Sequence, residues 1–159
     1  MGPQGAIIAD MPQAMPLLLR AAQIEDIDGI FAVRTSVREN ALTLEELAEL
    51  GITHASVAQM LAQAPCAWVA CEASTIVAFA MIDEQAGSLF AAFVLPSHEG
   101  RGIGRALVAR AEQALFARHP VAWLETARES RAAGFYRRLG WGDERDVGGG
   151  DIRLQKRRA

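Results

Sequence analysis

The 159-residue sequence has little that would tie it to a metal, a membrane or a nucleic acid. It holds only two cysteines, Cys66 and Cys71, and no CxxC or Cys/His cluster of ligand spacing. A zinc site is therefore not expected, nor any other metal, and both thiols read as small core hydrophobes in a reducing cytoplasm. No apolar run approaches the ~20 residues of a membrane span. The opening "MGPQGAIIADMPQAMPLLLR" lacks a charged region ahead of its apolar stretches, so no signal peptide is expected. An excess of basic charge is missing too: the formal net charge is −3, with a pI near 5.6. No positive field draws the chain onto nucleic acid or an anionic membrane. Only the end, "LQKRRA", is locally basic, and without interleaved aromatics it reads as a solvated tail.

What is present is a hydrophobic fraction of 51%, ample for one buried core. Residues 1–14 read as a poorly ordered extension and residues 15–159 as a single domain. "PLLLRAA" is a strand candidate. "IEDIDGIFAVRTSVREN" places Ile27, Ile30, Phe31 and Val37 at helical spacing. Thr43 and Glu46 form a capping box that opens another helix, ended near Gly51, and Thr53 caps a further one that Pro65 stops. "CAWVACE", "TIVAFAMID" and "SLFAAFVLP" are compact apolar runs divided by turns, a meander. A helix from Gly102 to about Arg118 carries Ile103, Leu107, Ala111 and Leu115 every fourth residue. It leads to "VAWLETA", a strand that must run parallel to the one before the helix. "SRAAGFYRRLG" is a short helix closed by Gly140, and two strands about a "GGG" turn end the chain. The expected order is β-α-α-β-β-β-α-β-α-β-β: an α/β (α+β) domain with a central mixed sheet of about seven strands. Trp68, Trp123 and Trp141 fall in strand patterns and are expected in the core.

Three glycines at every second position, in "SHEGRGIGRAL", raise the functional question. A glycine-rich turn from strand into helix lets backbone N–H groups converge at the positive end of a helix, where an anion is favoured. The spelling is not that of a P-loop, since no lysine follows the glycines. Nor is it GxGxxG, because counting from Gly100 the sixth place is Arg105.

"FVLPSHEGRGIGRALV" resembles the acetyl-CoA-binding segment of the GNAT superfamily of N-acetyltransferases, with its Q/R-x-x-G-x-G/A pattern after a strand ending V-x-P. "SRAAGFYRRLGW" resembles that family's second signature, A-x-x-F/L-Y-x-x-x-G-F/W. The two cover residues 88–141, and the element order agrees. Two departures stand out. Glu99 occupies the place of Gln or Arg and is expected to turn to solvent, while Arg101 and Arg105 keep the local charge positive. Glu129 or Ser130 stands where many members carry Asn.

The resemblance implies acetyl-CoA as cosubstrate, its pantetheine arm between splayed parallel strands 4 and 5. Cofactor contacts would then come from Phe93, Val94, Gly100, Arg101, Gly102, Ile103, Gly104, Arg105, Ser130 and Phe135. It also implies direct acetyl transfer to a primary amine of a small molecule or peptide; the charge and cysteine usage above leave no nucleic acid or membrane partner expected, in a cytoplasmic protein for which a homodimer stays open. The strand 4 backbone near Val94 would face the oxyanion, and Tyr136 would protonate the leaving thiolate. For the base, Glu125 comes first and Asp83 next, with a water relay or a neutral substrate as alternatives. His98 reads as an exposed loop residue. Arg34, Arg38, Glu39 and Asn40 would wall the acceptor site or form a solvated face. A non-catalytic acyl-CoA sensor on the same scaffold is the rival reading.

Overall fold

A computed structural model describes residues 17–159; the expected extension at 1–14 lies outside the described residues. Strand β1 (Leu17–Ala21) leads into α1 (Ile27–Arg34), α2 (Leu44–Glu49) and α3 (His54–Gln63). The meander β2 (Ala67–Glu72), β3 (Thr75–Asp83) and β4 (Ser88–Val94) follows. Helix α4 (Ile103–Phe116) then crosses to β5 (Val121–Ala127), and α5 (Arg131–Arg138) precedes the hairpin of β6 (Gly142–Gly148) and β7 (Asp151–Arg157). The seven strands form one sheet in the order β1-β2-β3-β4-β5-β7-β6, antiparallel except for β4 and β5. This is the mixed sheet expected from the sequence.

Period-two alternation sends alternate strand residues to opposite faces. Ala78, Ala80, Ile82, Leu124 and Ile152 pack under Leu107, Val108, Ala111 and Leu115 of α4. Val69, Phe79 and Met81 pack on the other face under Ile27, Ile30 and Val33 of α1 and Val57 of α3. The sheet is thus sandwiched between α4 and α5 on one side and α1 to α3 on the other.

Three details depart from expectation. The first helix stops at Arg34 instead of continuing through Val37, because side-chain hydroxyls take its last carbonyls. Thr35 Oγ1 donates to Phe31 O at 2.8 Å and Ser36 Oγ to Ala32 O at 2.6 Å. Three helices separate β1 from β2, in agreement with the caps read at Thr43 and Thr53, where the expected element order counts only two. Gly51, at φ +82°, divides the second amphipathic stretch. Trp123 is not in the core: its indole N–H donates to Ala86 O at 2.9 Å and its ring lies 3.9 Å beneath the Arg153 guanidinium. Trp68 and Trp141 are buried as expected.

One feature of the sheet positions everything that follows. Strands β4 and β5 meet at a single registered pair, Ser88 and Trp123, supported by the Trp123 N–H on Gly87 O at 3.1 Å. Beyond it they carry no ladder. The gap opens toward Val94 and the glycine-rich turn.

Candidate active site

The turn between β4 and α4 uses its glycines for two different purposes. Gly100 and Gly102 have φ values of +78° and +80°, a region that L side chains occupy at a cost. Gly104 is helical instead, and a Cβ there would sit 3.5 Å from both Val94 Cγ2 and Phe135 Cζ. Gly102 is the N-cap of α4 and offers no side-chain cap. Among the described residues, no protein acceptor takes the backbone N–H groups from Gly100 to Arg105 with good hydrogen-bond geometry; the first helical bond is Ala106 N–H to Gly102 O at 3.1 Å. Ile103 meanwhile buries its side chain, which holds the turn in place. The result is a concentration of free donors at the positive end of a 14-residue helix.

Strand β4 offers donors to the same gap. Leu95 N–H donates to Val77 O at 2.9 Å, which fixes the alternation along the β3–β4 ladder. The amides of Phe93 and Ala91 therefore face β3, and those of Val94 and Ala92 face the gap. Of the two residues expected there, Val94 presents its backbone and Phe93 presents its ring, on the opposite face of the sheet. Ala92 was not foreseen.

Ion pairs brace the turn. His98 is held rather than exposed: Nδ1 lies 2.7 Å from Ser97 Oγ and Nε2 3.1 Å from Glu72 Oε1. Arg101 reaches the same Glu72 at 3.6 Å. Glu99 is exposed, and its carboxylate lies 3.5 Å from Arg131 Nη1 on α5, itself an exposed side chain. Arg105 is exposed and makes no ion pair among the described residues.

Tyr136 and Phe135 sit edge to face, 5.2 Å between centroids, with Trp141 6.2 Å beyond the tyrosine. The phenol is buried, and burial raises its pKa above the usual value. Its hydroxyl has no protein hydrogen-bond partner among the described residues, an unusual state for a buried polar group. Ser130, expected to touch the cofactor, spends its hydroxyl at home as the N-cap of α5. It accepts from Ala133 N–H at 3.0 Å and donates to Ala127 O at 2.7 Å.

The face of the sheet beneath α1 holds the remaining candidates. Glu125, opposite the buried Leu124, bonds Arg153 at 2.6 Å. Asp83 pairs with Ser88 at the far end of β4 and caps its own turn through Ala86 N–H at 3.1 Å. At ~3.3 Å per residue it stands ~20 Å along the strand from Val94, too far to act there. Arg34 is buried, its guanidinium 4.3 Å above the Phe93 ring and 2.9 Å from Asn40 O. Arg38 is exposed. Glu39 accepts the backbone N–H groups of Arg131 and Ala132, at 3.0 and 3.4 Å. A concavity of about 370 Å³, walled by Leu50, Ile52, Val57, Met60 and Phe90, opens on this face. Among the described residues no group of His, Cys, Asp and Glu could hold a metal ion, and no helix is long and apolar enough to cross a membrane.

The sequence matches the acetyltransferase (GNAT) domain family over residues 63–142, half of the chain. The protein belongs to the GNAT acetyltransferase family, whose cosubstrate is acetyl-CoA. Among solved structures it is similar to the PaiA N-acetyltransferase from Thermoplasma acidophilum in complex with coenzyme A. The two share 18% identity at a TM-score of 0.73, over 91% of this chain and 100% of that one. It is also similar to the ribosomal-protein-alanine N-acetyltransferase from Brucella melitensis, at 23% identity and a TM-score of 0.66, over 89% and 99% of the two chains. An N-acetyltransferase from Staphylococcus aureus Mu50 gives 15% identity and a TM-score of 0.66, over 89% and 98%. At these identities the likeness is one of fold. A comparison with curated proteins gives no match.

Proposed function

We propose that the protein is an acetyl-CoA-dependent N-acetyltransferase that passes an acetyl group directly to a primary amine of a small molecule or peptide. The observation that carries this reading is the run of unpartnered amides from Gly100 to Arg105, beside a sheet left open between β4 and β5. Such a turn fits a pyrophosphate, and the open edge of β4 fits an amide-bearing arm. Acetyl-CoA supplies the activated thioester.

The chain's own groups divide the remaining work. Arg101 and Arg105 flank the amide cradle and keep its charge positive. The Val94 N–H, facing the gap, is the donor for the carbonyl oxygen as negative charge develops on it. The acceptor nitrogen forms its bond to the acyl carbon as the carbon–sulfur bond breaks. The ammonium proton leaves through water, with Glu125 the carboxylate of β5 on the acceptor face; its tie to Arg153 makes it a relay terminus rather than a direct base. Tyr136 gives its proton to the departing sulfur, and burial keeps that phenol protonated at every working pH. Phe135 and Gly104 close the wall beside Val94. A cytoplasmic location and a homodimer accord with this reading.

A non-catalytic acyl-CoA sensor would use the same cradle but has no need of an unpartnered buried phenol. Release of free CoA thiol from acetyl-CoA, followed over a panel of amines, separates the two. The enzyme reading expects amine-dependent release. Tight calorimetric binding of CoA with no amine-dependent release would establish the sensor.

A further inference from the structure

Among the described residues Arg34 is the one buried cation of the acceptor face, and none of them neutralises it. Only 9% of the residue is exposed. Among the described residues its hydrogen bonding amounts to one bond, Nη1 to Asn40 O at 2.9 Å, which leaves most of the guanidinium's five donors without a partner there. No carboxylate pairs with it among the described residues, and burial alone displaces its pKa, downward. Three nearby carboxylates are committed elsewhere: Glu39 to the α5 amides, Glu125 to Arg153 and Asp26 to Arg20. A buried charge without a counter-ion is costly. The Phe93 ring under it returns part of that cost and fixes its position.

That position is informative. Phe93 immediately precedes Val94, whose amide faces the β4–β5 gap, and successive Cα atoms lie only about 3.8 Å apart. The guanidinium thus stands over the Phe93 ring, one residue along β4 from the amide that faces the gap, and on the face opposite α4 and its amide cradle. A planar fork with free donors at such a place suits a carboxylate.

We infer that Arg34 selects the acceptor by its carboxylate: the substrate class is amino acids, whose carboxylate lies a few bonds from the reacting amine. The inference rests on the acetyl-transfer reading above. Binding of the anion supplies the missing counter-charge, and the amine of the same molecule is brought to the gap.

The test sets a panel of α- and short ω-amino acids against the same compounds with the carboxylate converted to carboxamide. Turnover is read by CoA thiol release, and binding by calorimetric titration into the CoA-saturated protein. The wild type should favour the free carboxylates by about tenfold or more in kcat/KM and in affinity. Arg34→Gln should abolish the preference, bringing the ratio near one, while CoA affinity stays unchanged. Arg34→Lys should restore part of it. Because the native charge is uncompensated, Arg34→Gln should fold with an unchanged or higher Tm, which a purely structural arginine would not allow. Equal handling of carboxylate and carboxamide by the wild type, or a preference that survives Arg34→Gln, overturns the inference. Amines turned over without regard to the carboxylate would leave acetyl transfer standing and remove Arg34 from recognition. Carboxylate binding that needs Arg34, with no amine turned over, would do the reverse.

Discussion

Glu39 and Arg131 stand 92 residues apart in sequence, and the carboxylate of the first accepts the backbone N–H of the second at 3.0 Å. The loop after α1 is thereby fastened to the first turn of α5, with Ala132 N–H adding a longer bond at 3.4 Å. A carboxylate at a helix N-terminus satisfies orphan donors and complements the dipole. Glu39→Ala should therefore cost about 0.5–1 kcal/mol in chemical denaturation. The same loop supplies the Asn40 carbonyl that holds Arg34, so KM for the acceptor should rise while CoA affinity holds. Hydrogen exchange at the Arg131 and Ala132 amides should quicken, and unchanged exchange there would refute the fastening role.

Gly102 is the glycine whose replacement separates cradle from fold. At φ +80° its Cβ would meet open space, so the penalty of a side chain is backbone strain and not collision. Gly102→Val puts a β-branched residue in that region, costing about 1–3 kcal/mol and displacing the turn. CoA binding by calorimetry should weaken more than tenfold, with circular dichroism still that of a folded protein. Affinity within twofold of wild type would rule out the turn as the pyrophosphate site.

The chain has one tyrosine, so its ionisation can be read without ambiguity from tyrosinate absorbance. Burial raises the Tyr136 pKa above 10.0. Above about pH 10 the unfolded chain gives up a proton that the folded protein keeps, so stability falls as pH rises through that range. Tyrosinate should appear only with unfolding, and Tyr136→Phe should remove this part of the alkaline loss. The same substitution keeps the ring packed between Phe135 and Trp141 and breaks no protein hydrogen bond among those described. CoA affinity should persist while kcat falls by about 10²- to 10⁴-fold, the usual cost of losing a general acid. Full activity would show that water protonates the thiolate.

Asp26 governs the acid side. Hydrogen bonds from Arg20, at 2.7 and 2.9 Å, hold its carboxyl below the ordinary carboxylate range, and Gln23 N–H adds to them at 2.7 Å. The unfolded chain takes up a proton near pH 3.8 that the folded one still refuses. The stabilisation is thus complete at neutral pH and is lost as pH falls through the lower, folded pKa. Asp26→Asn should cost about 2 kcal/mol at pH 7, discounted because Arg20 is partly solvated. Its acid unfolding curve should also be shallower than the wild type's.

How far the letters alone lead depends on the range of each interaction. Thr43 with Glu46, and Thr53 with Ser56, cap their helices within one turn, and such local pairs can be read directly. "GRGIG" is legible for the same reason: glycine spacing encodes backbone geometry. The parallel pairing of β4 and β5 followed from the intervening helix. Long-range partners leave no such mark. Nothing in "SHEGRGIG" announces that Glu99 will meet Arg131, or His98 meet Glu72. Ser130 caps its own helix through Ala133 N–H, three residues on, another pair that falls within one turn. Arg34 could not be told from a solvated arginine, because its place is set by Phe93, 59 positions away in the chain, and by the carbonyl of Asn40.

The single registered pair between β4 and β5 makes the sheet mechanically two plates, β1 to β4 and β5 to β7, joined at one corner by hydrogen bonds and elsewhere by the side chains of α4 and α5. On the proposed reading, a molecule lying along the open edge of β4 would take the place of the missing ladder and splint the plates. Stiffness then depends on occupancy, and Tm should climb with ligand concentration by mass action. Each loss of the spent carrier would then release the splint, leaving the protein most compliant when it must admit a fresh acyl donor.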